Sequence, residues 1–468
     1  MMGDDLFIDN YYFVTVVFMW FLHVGFMCYE AGVSRRKNVM STAIKNIMTI
    51  AVVTPAFYYA GWWTYLCMPA GFIPNVGDAV HGYECTWGNP WGELMGPNIG
   101  DHVMAVFWAA FLLFSWTTGS IMSGSTIVRI RVSAYLVLTV FLGAFVWSLG
   151  AAWGWSWHGW LVVHFGFHDF AASGVVHGIA GLFALGVLFN LGPRIGAFDD
   201  DGGAWAFKPH NLHMTLMGLM IIFTAFYAFY AACLAVLPGE APGWNNIYYN
   251  PTTLGAITYT ITIAFAGGFM SGYICSKGDP FWTLSGGLAG VIAVSSGADV
   301  YAPSLTYLLA MLGAAFAVWV GTWQQEKMRV DDAVGAVAVH GWTGFLGVLL
   351  MGIFASGYPT GAFSGNVEVT ILGQLVGIAA LLPLAFLSGY IISWLLKQGN
   401  LSACHLRSSS KVSTSPSLVA ISIRTSELPK RSSWKPMEAK FRQVRCSPER
   451  PINSSEVDRC LNSSRPSC

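Results

Sequence analysis

The sequence predicts an all-α polytopic membrane protein: eleven transmembrane helices, N-terminus outside and C-terminus inside, arranged as a 5+5 inverted repeat plus one long helix. Three observations carry that prediction. Only 10% of the 468 residues are charged and 54% are hydrophobic, against about 25% charged in an average soluble domain. Every Lys and Arg before residue 400 falls on one side of an alternating series of loops. An Asp–His motif in the fifth apolar run returns in the tenth.

The elements follow in chain order. The opening MMGDDLFIDN is acidic and lacks the basic start of a cleavable signal peptide, so it reads as a short external segment. Apolar runs of roughly the 20 residues a helix needs to cross a bilayer come next. In the first half they occupy 10–32, 39–66, 101–123, 131–152 and 170–191. In the second half they occupy 210–236, 253–274, 281–298, 303–323 and 333–355, and the long last run is 367–396.

The loops between these runs fix the orientation. The twelve basic residues before position 400 are Arg35, Arg36, Lys37, Lys45, Arg129, Arg131, Arg194, Lys208, Lys277, Lys327, Arg329 and Lys397. With the N-terminus outside, all of them are cytoplasmic. The opposite loops hold Asp78, Glu84, Glu93, Glu240 and Glu368 and no Lys or Arg. This is the charge asymmetry of a multi-pass protein of the plasma (bacterial inner) membrane, and an odd number of spans is needed to produce it. Nine cysteines show no zinc or haem spacing. Cys67 and Cys85 both fall outside, where an oxidising compartment would let them pair; the other reading is two ordinary thiols.

After Lys397 the composition breaks. Residues 401–468 hold 17 serines, six prolines, 12 of the 24 basic residues and five acidic ones. Such a segment cannot bury a core, so 399–468 reads as a Ser/Arg-rich, disordered cytoplasmic tail. It is either a lipid-clinging tail, a degraded linker or a non-native extension.

The repeated motif carries the functional reading. DFAASGVVHGIAG around the fifth run matches DAVGAVAVHGWTG around the tenth: Asp169 precedes His177 by eight residues, and Asp332 precedes His340 by eight. Five spans separate the copies, so their topologies are opposite, as in transporters whose repeats meet near the bilayer midplane. Ionisable side chains in a span are costly and mark a pathway. A metal site is disfavoured, since neither span offers a second His, Cys or Glu one turn away; no cofactor is expected. No nucleophile–base constellation or phosphate loop supports an enzyme, and no nucleic-acid partner is expected. Two neutral imidazoles instead suit a small polar solute that both donates and accepts, and they can relay a proton. An unpaired ion in so apolar a path faces a penalty on the order of tens of kcal/mol.

The stretches DFAASGVVHG, FKPHNLHMTLMG, RVDDAVGAVAVHGWTG and AGVSRRKNVM closely resemble the Amt/Rh ammonium transporters, over about 1–398. The resemblance implies a homotrimer in the lipid bilayer, one pore per protomer. Ammonium is captured at an external vestibule, deprotonated and passed as ammonia, with proton relay by His177 and His340. Asp169 orders the vestibule end of the fifth span, a role compatible with capping that helix. Trp157 matches the recruitment tryptophan, whose ring attracts the cation. Phe114 matches one gate position, with Phe111 and Phe107 as alternatives on neighbouring turns, and Phe229 matches the second. The chain also departs from the family. Tyr230 stands where an asparagine is usual, and Cys233 where a serine hydroxyl would accept from the ion; a thiol is a weaker acceptor. The family's regulatory tail is not recognisable after Lys397, so no PII-type partner is carried over. Two functions therefore stay open: a transporter or channel, and an ammonium sensor with little flux whose signalling domain or protein lies downstream.

Overall fold

The computed structural model describes residues 2–75, 79–80, 83–85, 102–199, 203–204, 207–236, 244–360 and 367–399. The tail 401–468 lies outside these, as do Asp78, Glu93 and Glu240.

The described chain is overwhelmingly helical. The helices are α1 (Met2–Val33), α2 (Val39–Ala56), α3 (Trp62–Cys67), α4 (His102–Thr126), α5 (Val132–Phe141), α6 (Trp147–Gly154) and α7 (Trp160–Phe165). They continue with α8 (Ile179–Leu191), α9 (Leu212–Ala231), α10 (Leu254–Cys275), α11 (Pro280–Val294), α12 (Pro303–Glu326), α13 (Thr343–Phe354) and α14 (Ile371–Gln398). Wider π-helical turns join or precede several of these: Phe57–Gly61 links α2 to α3, and Leu142–Val146 links α5 to α6. Ser173–Gly178 leads into α8, and Val337–Trp342 into α13. Outside the helices, the antiparallel pairs β1 (Ala79–Val80) with β2 (Tyr83–Glu84) and β3 (Leu234–Val236) with β4 (Trp244–Asn246) make two small hairpins.

Among the described residues, nine helical stretches are long and apolar enough to cross a membrane. They coincide with nine of the expected runs. At the other two positions lie α4, of 25 residues, and α11, of 15 residues. The protein is a multi-pass membrane protein, and its shape follows from where the apolar surface goes. α8 is apolar on every face and buried along nearly its whole length, as a helix in the middle of a bundle must be. α14 keeps Leu372, Leu375, Leu387, Ile391 and Leu395 exposed, which suits contact with lipid.

Helix starts are set by polar caps that satisfy the otherwise orphaned first amides. The side chain of Asn211 accepts from Met214 N, and that of Thr253 from Ala256 N. Thr370 does the same for Gly373 N. Asp279 accepts from Trp282 N just ahead of Pro280, whose missing amide costs nothing in the first turn. The fifth run begins later than its hydropathy suggests. Residues 169–172 are not helical, Ala172 sits at φ +68°, and the helical backbone starts at Ser173. Asp169 is the cause, as shown below.

The two ends of the bundle are chemically distinct. At one end Cys67 and Cys85 form a disulfide, and Trp153 Nε1–H donates to Gly71 O within the loop that this bond closes. Trp160 N–H donates to Pro69 O at the same end. At the other end basic residues converge: Arg35 donates to Ile195 O, Arg329 to Asp199 O, and Arg129 and Arg194 both bind Asp331. Burial pushes the Asp331 carboxyl up, yet these two guanidinium groups hold it below the ordinary carboxylate range.

Candidate functional site

Residues 163 apart in sequence meet at the centre. Nδ1 of His177 lies 3.1 Å from Nδ1 of His340, with the ring planes 33° apart. One nitrogen must donate and the other accept, so the two neutral rings hold different tautomers. His177 is fully buried and His340 is 5% exposed. Among the described residues, Nε2 of His177 has no hydrogen-bond partner. A buried ring nitrogen left unpaired costs free energy unless something fills it.

The repeated motif explains how the rings approach. Each histidine rides on a π-helical turn, which re-aims side chains away from regular helical spacing. The glycines of His-Gly-x-x-Gly then let the turns touch. A Cβ on Gly181 would lie 2.2 Å from Gly341 N, and one on Gly344 would lie 2.2 Å from Ser173 O. No side chain fits in either place.

An aspartate opens both turns. Asp169 Oδ2 accepts from Gly174 N at 2.9 Å and Val175 N at 2.7 Å, while Oδ1 accepts from the Ser296 hydroxyl at 2.7 Å. Its backbone is pinned as well: the amide donates to Tyr248 Oη, and the carbonyl accepts from Trp155 Nε1. Asp169 therefore caps the turn with both oxygens engaged. Asp332 Oδ2 accepts from Val337 N at 2.6 Å, the equivalent bond five residues on.

A column of rings leads to the imidazoles. Phe114 meets Phe229 edge-on with centroids 4.6 Å apart. Phe229 stacks on His177 at 5.4 Å, and Phe226 lies nearly parallel to the same ring at 5.8 Å. Phe111 sits 6.0 Å from Phe114, and Phe107 packs on Phe111 and Tyr12 instead. Of the three candidate phenylalanines, Phe114 is the one in contact with Phe229 and thereby with the histidine pair. Both rings are fully buried, so the column is shut in this conformation.

Trp157 stands apart from this column. It is half-buried and meets Tyr249 edge-on at 4.5 Å. Cys233 is buried just beyond α9, and its thiol donates weakly to Phe229 O at 3.3 Å. Tyr230 borders the column, its ring 6.4 Å from both Phe226 and Phe229, and its hydroxyl donates to Val291 O and so ties α9 to α11.

Sequence reasoning missed several neighbours. Trp155, two residues from Trp157, is fully buried against Phe114 at 4.8 Å. His168 and Asp299 form a wholly buried pair at 3.1 Å, joined by Asn246 and bracketed by the ring of Tyr248. Glu30, just ahead of the AGVSRRKNVM stretch, is a fully buried acid in the first span. Its charge type alone was the available signal.

Comparison with known proteins fits this architecture. The profile of the Ammonium Transporter Family matches residues 10–411. The ammonium transporter Amt2 of Archaeoglobus fulgidus is 31% identical, covering 81% of this chain and 80% of that one. The ammonium transporter of Bacillus subtilis is 28% identical, covering 84% of this chain and 91% of that one. Among solved structures, a sensor Amt protein superposes with a TM-score of 0.73 at 21% identity, covering 86% of this chain and 96% of that one. Candida albicans Mep2 gives 0.67 at 20% identity and 87% coverage of each chain. The chain belongs to the ammonium transporter family.

Proposed function

We propose that this chain captures ammonium on its outer face, strips a proton from it, and conducts ammonia past His177 and His340 while the two rings relay the proton. The observation that carries the reading is the imidazole pair itself: two buried rings 3.1 Å apart, with Nε2 of His177 free of any protein partner among the described residues. A neutral molecule that both donates and accepts complements such a nitrogen. An alkali ion would have to shed its water for an apolar path, at a cost on the order of tens of kcal/mol.

The remaining roles follow from that path. Trp157, with a face partly open, attracts the cation. Phe114 and Phe229 are the gate that must part for passage, and Asp169 keeps the entry turn in place. Cys233 stands at the acceptor position of the capture site as a weak acceptor. The end bearing the disulfide is the outside, since such bonds persist in oxidising compartments. The end where Arg35, Arg129, Arg194 and Arg329 converge is the cytoplasm. Eleven spans, two inverted five-helix halves, a plasma-membrane location and a homotrimer with one path per protomer complete the reading.

A second reading is an ammonium sensor with little flux, working with a downstream signalling domain or protein. The weak acceptor that Cys233 puts in place of a hydroxyl favours it. Purified protein in liposomes on a solid-supported membrane separates the two. The transport reading expects a current on an ammonium jump and none on a potassium jump. Saturable ammonium binding without current would transfer the chain to the sensing reading.

A further inference from the structure

Glu30 is a buried acid that the scheme above leaves unused. It lies near the end of α1 with no exposed surface. One oxygen is fully employed: Oε2 accepts from Asn46 Nδ2 at 3.1 Å and from the Ser123 hydroxyl at 2.7 Å. The other, Oε1, has no hydrogen-bond partner among the described residues. An amide would have served Asn46 and Ser123 equally well. A carboxyl with half of its acceptor capacity unused in a core is expensive to keep.

The idle oxygen has a place to work. Glu30, Tyr29, Ser120, Gly124, Ser285 and His340 line a cavity of about 20 Å³. A Cβ on Gly124 would lie 3.7 Å from Oε1, so that oxygen and this glycine border the same space. A volume of this size holds one water, given polar partners around it. The polar partners here are the carboxyl, the imidazole and the three hydroxyls of Tyr29, Ser120 and Ser285. The charged and titratable groups around Glu30 are Lys45, which acts on it electrostatically, Tyr135, against whose ring the Lys45 ammonium rests, and His23, bonded to Ser120.

We propose that Glu30 is the proton acceptor beyond the imidazole pair, reached from His340 through one water in this cavity. The proposal rests on the conduction reading above. An N–H bond of the imidazolium breaks as the water takes its proton. The water releases another of its hydrogens, and an O–H bond forms on Oε1 from a carboxylate lone pair. No oxidant or reductant is involved. The proton then leaves toward the end where Arg129 and Arg194 gather. The cavity shared by Glu30 and His340, with Oε1 unpaired on its wall, is the juxtaposition that assigns this role.

The test uses the full chain in liposomes and reads two quantities: charge moved on an ammonium jump, and ammonia delivered, followed by a trapped pH dye. Glu30→Gln keeps an oxygen for Asn46 and Ser123 but cannot take up a proton. Its charge-to-ammonia ratio is expected to fall by about 100-fold, the low end for losing a positioned proton-transfer group. Glu30→Asp, which restores a carboxyl, is expected to recover part of that ratio. An unchanged ratio in Glu30→Gln, whether both quantities persist or fall together, overturns the proposal. If Glu30→Gln is not recovered folded, Gly124→Ala puts a methyl into the cavity beside Oε1, and there too an unchanged ratio overturns it. A wild-type protein that moves neither charge nor ammonia overturns the conduction reading itself, an outcome distinct from a conducting wild type with a variant of unaltered ratio.

Discussion

The turn that carries His177 and the turn that carries His340 have the same sequence pattern and the same local backbone, but different surroundings. Asp169 is held by neutral donors, Gly174 N, Val175 N and the Ser296 hydroxyl, with the indole of Trp155 on its carbonyl. Asp332 makes the matching bond to Val337 N, and its neighbour Asp331 is clamped by Arg129 and Arg194. The repeated motif thus fixes the geometry of the rings, while each end of the molecule supplies its own electrostatics. Aromatic rings, neutral dipoles and one buried His168–Asp299 pair surround the first copy. Paired charges and a second buried acid, Glu30, surround the other.

The sharpest way to break this contrast is to remove the clamp. Asp331→Ala leaves two largely buried guanidinium groups without their carboxylate, and breaking such a pair costs about 3–5 kcal/mol. Unfolding in detergent at fixed protein concentration should show a loss of that size. The effect has a defined pH window. Because the folded Asp331 titrates below its ordinary value of about 3.9, its stabilisation is complete above that value and disappears as pH falls through the lower, folded one. The difference between wild type and variant should narrow only in that acid range. A difference that kept its full size through the whole acid titration would contradict the ion-pair account.

Removing the neutral cap should cost less. Asp169→Ala strips the turn of its cap, a loss of about 0.5–2 kcal/mol. It should also loosen the turn that aims His177, so ammonium current should fall further than stability suggests. If Asp169→Ala proved the more destabilising of the two, the distinction between the copies would be wrong. The smallest effect belongs to Trp157→Leu. A partly exposed ring contributes about 0.5–1 kcal/mol of cation–π attraction, so the half-saturating ammonium concentration should rise roughly two- to fivefold. A wild-type value would remove Trp157 from capture.

These contrasts also mark what was legible in the sequence. Apolar length placed the helices, because a bilayer imposes it, and the eight-residue Asp–His spacing singled out the two rings that meet. The start of the fifth helix was misplaced at 170, because hydropathy counts Phe170, Ala171 and Ala172 as apolar without seeing that Asp169 caps a turn starting at Ser173. The π-helical turns are equally silent, since one extra residue per turn leaves composition unchanged. Pairing of Cys67 with Cys85 was one of two open readings, and the structure has the bond. Which of Phe107, Phe111 and Phe114 touches Phe229, more than 110 residues away, could not be read from spacing alone. Glu30 stood in plain view as a charge within an apolar run, but the cavity that it shares with His340 comes from five separate segments.

The central claim is that His177 and His340 form a path that passes a nitrogen hydride and refuses alkali ions. The most direct measurement is the current from His177→Asp and from His340→Asp on ammonium jumps and on potassium jumps, beside wild type in the same liposomes. A carboxylate in place of either ring offers a cation a fixed counter-charge, so potassium current should emerge where wild type shows none. If both variants keep wild-type ammonium current and still exclude potassium, the imidazole pair does not set the selectivity.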